Sequence, residues 1–230
     1  PIAGDSQTLV DGEAESVTLS AQSFYYRVTY AGDTTYEPVL SGCGLFLASQ
    51  PGPSFVVNTV LDDSPDGMCT DIHCTLREAI GAANGATGAD TIVFDVGEEQ
   101  TLEIDSPLPA VDDASGTTAI DGEAFALTIS GGGAYGIFTV DAGAALALEN
   151  LTIADGATAG NGGAVENAGT LSATACTFSD NGAEKGGAIH NTGSMTAVNC
   201  TFKDNTASEG SALDNDGGFA VLTHCSFAGG

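Results

Sequence analysis

Several groups of residues in this chain have types and spacings that could do chemistry. Cys69 and Cys74 enclose His73 in the loop Cys69-Thr-Asp-Ile-His-Cys74. In an exported protein such cysteines pair as a local disulfide; with His73 they offer a metal only three ligands, one fewer than a structural site uses. Asp62, Asp63 and Asp66 crowd the loop just before, and oxygen-rich loops suit calcium. Their spacing matches neither an EF-hand nor a nonapeptide repeat. Arg77 and Glu78 form an adjacent charge pair. Asp180, Asp204, Asp214 and Asp216 are carboxylates from which an acid–base couple for sugar chemistry would be drawn. Cys176, Cys200 and Cys225 lack the close spacing of a metal site.

These residues sit on a repeat. Asn161-Gly-Gly-Ala-Val-Glu-Asn-Ala-Gly169, Lys185-Gly-Gly-Ala-Ile-His-Asn-Thr-Gly193 and Glu209-Gly-Ser-Ala-Leu-Asp-Asn-Asp-Gly217 recur every 24 residues. Between them recur Cys176-Thr-Phe178, Cys200-Thr-Phe202 and Cys225-Ser-Phe227, with weaker copies at Leu127-Thr-Ile129 and Leu151-Thr-Ile153. A fixed period of this length, built from short apolar strands and Gly/Asn turns, marks a solenoid. Each repeat holds alternating stretches; in Gly169–Cys176 the residues Leu171, Ala173 and Ala175 are expected on one face. Helical periodicity is absent from the repeats, and leucines are too sparse for a leucine-rich repeat. The fold expected is all-β, a right-handed parallel β-helix of about 24-residue coils, over a rod of about 35 Å. Stacking then makes ladders of Cys176, Cys200 and Cys225, of Phe178, Phe202 and Phe227, and of Asn181 and Asn205. All three are expected to be structural, the thiols reduced and buried.

The balance of 31 acidic against 4 basic residues, a net charge of −27, argues against nucleic acid and anionic membranes as partners. No apolar run is long enough to span a bilayer. Such charge also means that self-association needs salt or divalent cations for screening. Cys43 is left over; burial and cross-linking between chains both fit it. The chain opens at Pro1 without Met or a signal peptide and reads as a processed product or an excised piece.

Ahead of the repeats, Phe55–Val60 reads as a strand. Thr75 with Glu78 three residues on is a capping box, and Leu76, Ile80 and Ala83 share a helical face that ends at Asn84-Gly85. This spacing reads Arg77 as the cap's surface partner. A short helix just before the first coil suits the open end of a solenoid. Cys74-Thr-Leu-Arg-Glu-Ala-Ile resembles the CSLREA motif, with Thr75 for the usual Ser; Val-Asn-Thr, Asp66-Gly67, Cys69 and Asp90-Thr-Ile-Val-Phe94 match around it. The Gly-Gly-Ala-Ile and Cys-Thr-Phe repeats resemble those of polymorphic outer-membrane and autotransporter-like proteins. The resemblance covers about residues 55–227. It implies a right-handed parallel β-helix in a secreted or cell-surface protein, and it carries over no catalytic residue or cofactor.

Three regions follow: strands in 1–52, a cap in 53–90 and the β-helix in 91–230. Phe24, Tyr26, Val28 and Tyr30 share a face of one N-terminal strand and are the expected assembly residues; Ser49–Ser54 reads as a linker. The chain stops within a repeat at Cys225–Gly230. Either more chain follows, or a neighbouring copy covers that end by strand addition. The function expected is an extracellular structural or adhesive surface protein, head-to-tail with itself and able to touch surface glycans. The alternatives are a polysaccharide lyase or hydrolase and a piece of a larger adhesin. A flat Thr array, as on ice-binding surfaces, is started by Thr177 and Thr201 and only partly continued by Thr152 and Ser226. Asn150-Leu-Thr152 and Asn199-Cys-Thr201 are glycosylation sequons expected within strands.

Overall fold

A computed structural model describes residues 53–63, 67–97, 99–122 and 126–230, together with the strand backbone of 51–52 and of four short segments before it. The chain forms two compact units, Pro1–Gln50 and Pro51–Gly230. In the first, Phe24–Tyr26 pairs antiparallel with Gly44–Phe46, and Thr29–Tyr30 with Val39–Leu40. Phe24, Tyr26 and Tyr30 fall in these strands, whereas Val28 and Cys43 lie outside the described residues.

Every strand pair of the second unit is parallel. Successive coils add one strand to each of three sheets of seven, six and four strands. The inward columns are apolar. Ile92, Ile120, Leu148, Ala173 and Ala197 stack in the first sheet. Leu102, Ile129, Ile153, Phe178 and Phe202 stack in the second, and Phe138, Val165, Ile189 and Leu213 in the third. All but Leu213 are buried, each worth roughly 1.5–3 kcal/mol relative to exposure for the larger side chains. No single coil could bury its own column; stacking does it. The segment read as a linker runs instead into the strand Pro51–Val57, which pairs with Ala89–Phe94 as the first rung of the seven-stranded sheet. Its neighbour supplies the backbone partners, so the two prolines tolerated at its start do not prevent pairing.

The expected face of Leu171, Ala173 and Ala175 holds for two of the three. Ala175 is exposed with φ 54°, and Cys176 turns inward after it. Equivalent corners at Ala126, Asn150, Asn199 and His224 also have φ between 49° and 56°. One left-handed residue resets the alternation by one step at each coil, which is why both Leu171 and Cys176 face the core. Asn tolerates that conformation and alanine does not. Ala175→Asn or Ala175→Gly is therefore expected to raise stability by about 1 kcal/mol, read as a higher denaturant midpoint with an unchanged slope.

The Gly-Gly pairs have a steric cause. A Cβ at Gly163 would strike the backbone of Gly187, and one at Gly187 that of Ser211. Ser211 takes the third position of that file in the last described coil, where no further coil crowds it.

Candidate functional site

Helix α1 (Leu76–Gly85) lies in the connection between the first two rungs of the seven-stranded sheet, which pair directly with each other. Thr75 accepts from the Glu78 amide at 3.1 Å, and the Glu78 carboxylate accepts from the Thr75 amide at 3.0 Å. Cys69 and Cys74 are joined by a disulfide. Arg77 is not a surface partner. Its Nε and Nη2 donate to the two oxygens of Asp62 at 3.0 and 2.6 Å, and its guanidinium also reaches the carbonyls of Ser106 and Pro107. Asp62 is fully buried at its side chain and also accepts from the Asp105 amide. A planar fork meeting a carboxylate in this way fastens the helix to the loop before it and the loop after it. Of the acidic loop, Asp62 thus faces Arg77, Asp63 lies 3.2 Å from His73 Nε2, and Asp66 is outside the described residues.

The thiol ladder is built into the wall. Cys176 and Cys200 are each 1% exposed, and their sulfurs lie against the carbonyls of Leu148 and Ala173. Hydrogen bonding with Cys200, then burial, pushes the Cys176 thiol far above its usual range. Cys225, in the last coil, is half-buried. Under native conditions a maleimide is expected to modify Cys225 well before Cys176 or Cys200; mass mapping of the labelled peptides checks this.

Two files of asparagine line the corners. Asn181 donates to Asn205 Oδ1 at 3.0 Å and accepts from the Gly156 amide. The second file, Asn167, Asn191 and Asn215, is linked at 2.6 Å per step. It was present in the aligned repeats but carried no separate signal from sequence. Its first member, Asn167, has a bare Oδ1 because the preceding coil places Val140 there. Asp180 and Asp204, two of the four candidate carboxylates, sit at left-handed corners, φ 57° and 53°, where they serve the turn.

The outward file of the four-stranded sheet is different in kind. Thr139, Glu166, His190 and Asp214 are in register, one per coil. His190 is 4% exposed, and its Nδ1 lies 2.9 Å from Asp214 Oδ2. Glu166 is exposed beside it. Lys185 pairs with Glu209 at 3.0 Å on neighbouring strands, within the field of Asp214 and Asp216. An imidazole oriented by one carboxylate and flanked by another can move a proton. His190 occupies the variable sixth position of the aligned repeats, where the other coils carry Glu166 and Asp214; only that alignment could have pointed to it. Alongside, an open groove of about 570 Å³ is lined by Ala134, Ala157, Thr158, Gly182, Thr206 and Ser208 among others. The Thr file is longer than expected: Thr101, Thr128, Thr152, Thr177, Thr201 and Ser226 are in register. Asn150 and Asn199 lie exposed at corners before their strands.

A last cluster lies at the start of the strand that follows the helix. Asp90 alternates inward with Ile92 and Phe94 and is 1% exposed, with neither carboxylate oxygen bonded among the described residues. Burial and the charge of Asp113 raise its pKa. The folded chain therefore holds this proton more tightly than the unfolded chain. The resulting stability is full below the ordinary value near 3.8 and is lost as pH rises through the higher folded value. In chelator at pH 7, Asp90→Asn is expected to be more stable than the parent, with the difference shrinking toward pH 3; paired thermal melts across pH measure it.

Among the described residues no helix is long and apolar enough to cross a membrane. A family model for a right-handed β-helix region matches residues 114–230, just over half of the chain. No curated protein matches it.

Proposed function

Because the chain belongs to the right-handed β-helix family, we propose that it is an extracellular structural or adhesive surface protein that associates with copies of itself through its last coil. The observation that carries this reading is a change of residue type on an outward face. In register with one another, earlier coils present Ala145, Thr170 and Ser194 in one column and Ala147, Ser172 and Thr196 in the next. The last coil places Phe219 and Val221 there, 65% and 39% exposed. Phe227, 57% exposed, ends the inward ring ladder in the adjoining sheet and is a second apolar feature of the last coil. Large apolar side chains grouped on an otherwise small, hydroxyl-bearing surface favour a protein contact. The Cys69–Cys74 disulfide and the likeness to CSLREA proteins support an oxidising, surface location. Adhesion would present the open groove, with Thr158, Thr206 and Ser208 among its alanines, to a surface glycan.

The charge of −27 opposes association until salt screens it. Sedimentation velocity and electron microscopy of the 230-residue chain are expected to show oligomers that grow with salt. Phe219→Ser with Val221→Thr should abolish them. A wild-type chain that stays a single monomeric species at every salt concentration would sink the reading.

A second reading, a β-helix enzyme acting on polysaccharides, is favoured by the Glu166, His190 and Asp214 file with Lys185 nearby. It requires reducing ends or unsaturated sugars to be released from acidic polysaccharides, and this release to be lost in His190→Ala. No release would end it.

A further inference from the structure

Asp90 is at odds with its surroundings. It occupies an inward position of the first full coil, directly in register with Thr118. Both Asp90 oxygens and Thr118 Oγ1 are buried without a hydrogen-bond partner among the described residues. Asp113, 8% exposed, is the charged group whose field reaches Asp90. Two carboxylates are thus gathered where solvent is excluded. The described basic side chains are spent elsewhere: Arg77 on Asp62, Lys185 on Glu209 and Lys203 on Asp204. A buried carboxylate with no donor and no counter-charge is among the costliest arrangements a fold can hold.

The surrounding chain is nonetheless held firmly in this arrangement. Asn84 near the end of α1 donates to the Ala110 carbonyl and accepts from the Asp112 amide, which fixes the loop that carries Asp113. Asp113 accepts from the amide and hydroxyl of Ser115, and Ser115 Oγ in turn accepts from the Gly88 amide, two residues before Asp90. A chain of hydrogen bonds therefore ties the helix, the loop 110–116 and the start of the strand Ala89–Phe94 to one another. On the helix the buried residues Leu76, Ala79, Ile80 and Ala83 carry no charge, and the buried Glu78 carboxylate is engaged by the Thr75 amide.

We propose that Asp90, Asp113 and Thr118 form a binding site for a hard, oxygen-seeking cation, calcium being the fitting case, where the strand that follows the capping helix begins. The donors are all oxygen, which matches calcium and disfavours zinc or copper. Asp90 supplies two unengaged oxygens, Thr118 a hydroxyl and Asp113 the lone pairs that Ser115 leaves free; backbone carbonyls or water complete the six to eight oxygens that calcium takes. The cation supplies the charge that no basic residue provides. Its place, beside the hydrogen bonds that tie the first coil to the helix that closes it, makes the cap's closure depend on divalent cation. The site is separate from the Asp62 and Asp63 loop, and it stands whether or not the chain self-associates.

The test is a series of thermal melts of the full chain at pH 7 and constant ionic strength, in chelator and with calcium chloride, magnesium chloride or extra sodium chloride. Calcium at about 100 times its dissociation constant should raise the folding equilibrium constant about 100-fold. In Asp90→Asn and Asp113→Asn this response should disappear, whereas Asp63→Asn should keep it. Asp90→Asn removes a repulsion rather than a contact, and asparagine at 113 keeps the one oxygen that the Ser115 amide needs, so both variants are expected to fold. A calcium response unchanged in Asp90→Asn and Asp113→Asn would overturn the proposal. So would a wild-type melt that calcium shifts no more than sodium chloride does; Asp90 would then hold a proton or a buried water.

Discussion

Replacing Phe202 by alanine is expected to destabilise the solenoid by about 3–5 kcal/mol. The Phe202 ring lies between those of Phe178 and Phe227, with centroids 5.1 and 5.0 Å away and ring planes within 9° of parallel. It is 1% exposed, so truncation removes a full transfer term and opens a cavity that rigid strands on both sides cannot close. Denaturant titration reads this as a large fall in midpoint. Phe227→Ala is the control. That ring meets a neighbour on one described side and is 57% exposed, so its loss should cost about 1 kcal/mol. Equal losses at the two positions would mean that the ladder does not stack as described. A double-mutant cycle between Phe178 and Phe202 should add a coupling of about 0.5–1.5 kcal/mol, the part that belongs to ring stacking rather than to burial.

The second large effect is expected at the cap. Arg77→Met removes the partner of a fully buried carboxylate, and an uncompensated buried charge costs about 3–5 kcal/mol. The same change also frees the carbonyls of Ser106 and Pro107. Asp62→Asn combined with Arg77→Met should recover part of the loss, because the stranded charge is then gone. Lys203→Met breaks an exposed, solvent-screened pair and should leave the melting midpoint essentially where it was. Since repeat arrays need not unfold as one unit, amide exchange should accompany the melts. The expected outcome is that Arg77→Met speeds exchange in α1 and the first rungs while the coils after Gly163 keep their protection.

The period, the strand class and the ladders were legible in the primary structure, for one physical reason. In a parallel solenoid a single register relates every coil to the next, so residues 24 or 25 apart must stack, and a spacing in the chain is already a contact in space. Cys176 over Cys200, Phe178 over Phe202 and Asn181 over Asn205 follow without any further information. The capping box was legible because its contacts span three residues.

The rest needed the folded chain. The partner of Arg77 sits fifteen positions back, and the carbonyls it holds lie about thirty positions on; no local pattern encodes either. Ala175 was assigned to the wrong face because strict alternation assumes extended backbone, and its left-handed φ inserts a half-step that composition does not announce. Asp90 carried no signal of its own within Asp90-Thr-Ile-Val-Phe94, yet the pleat turns it inward beside Thr118. Which carboxylates are turns, which are paired and which stand bare depended on how coils of unequal sequence were laid over one another. Repetition encodes the stack; the departures from repetition, at Asp90, His190 and Phe219, acquire chemistry only from the neighbours that stacking places around them.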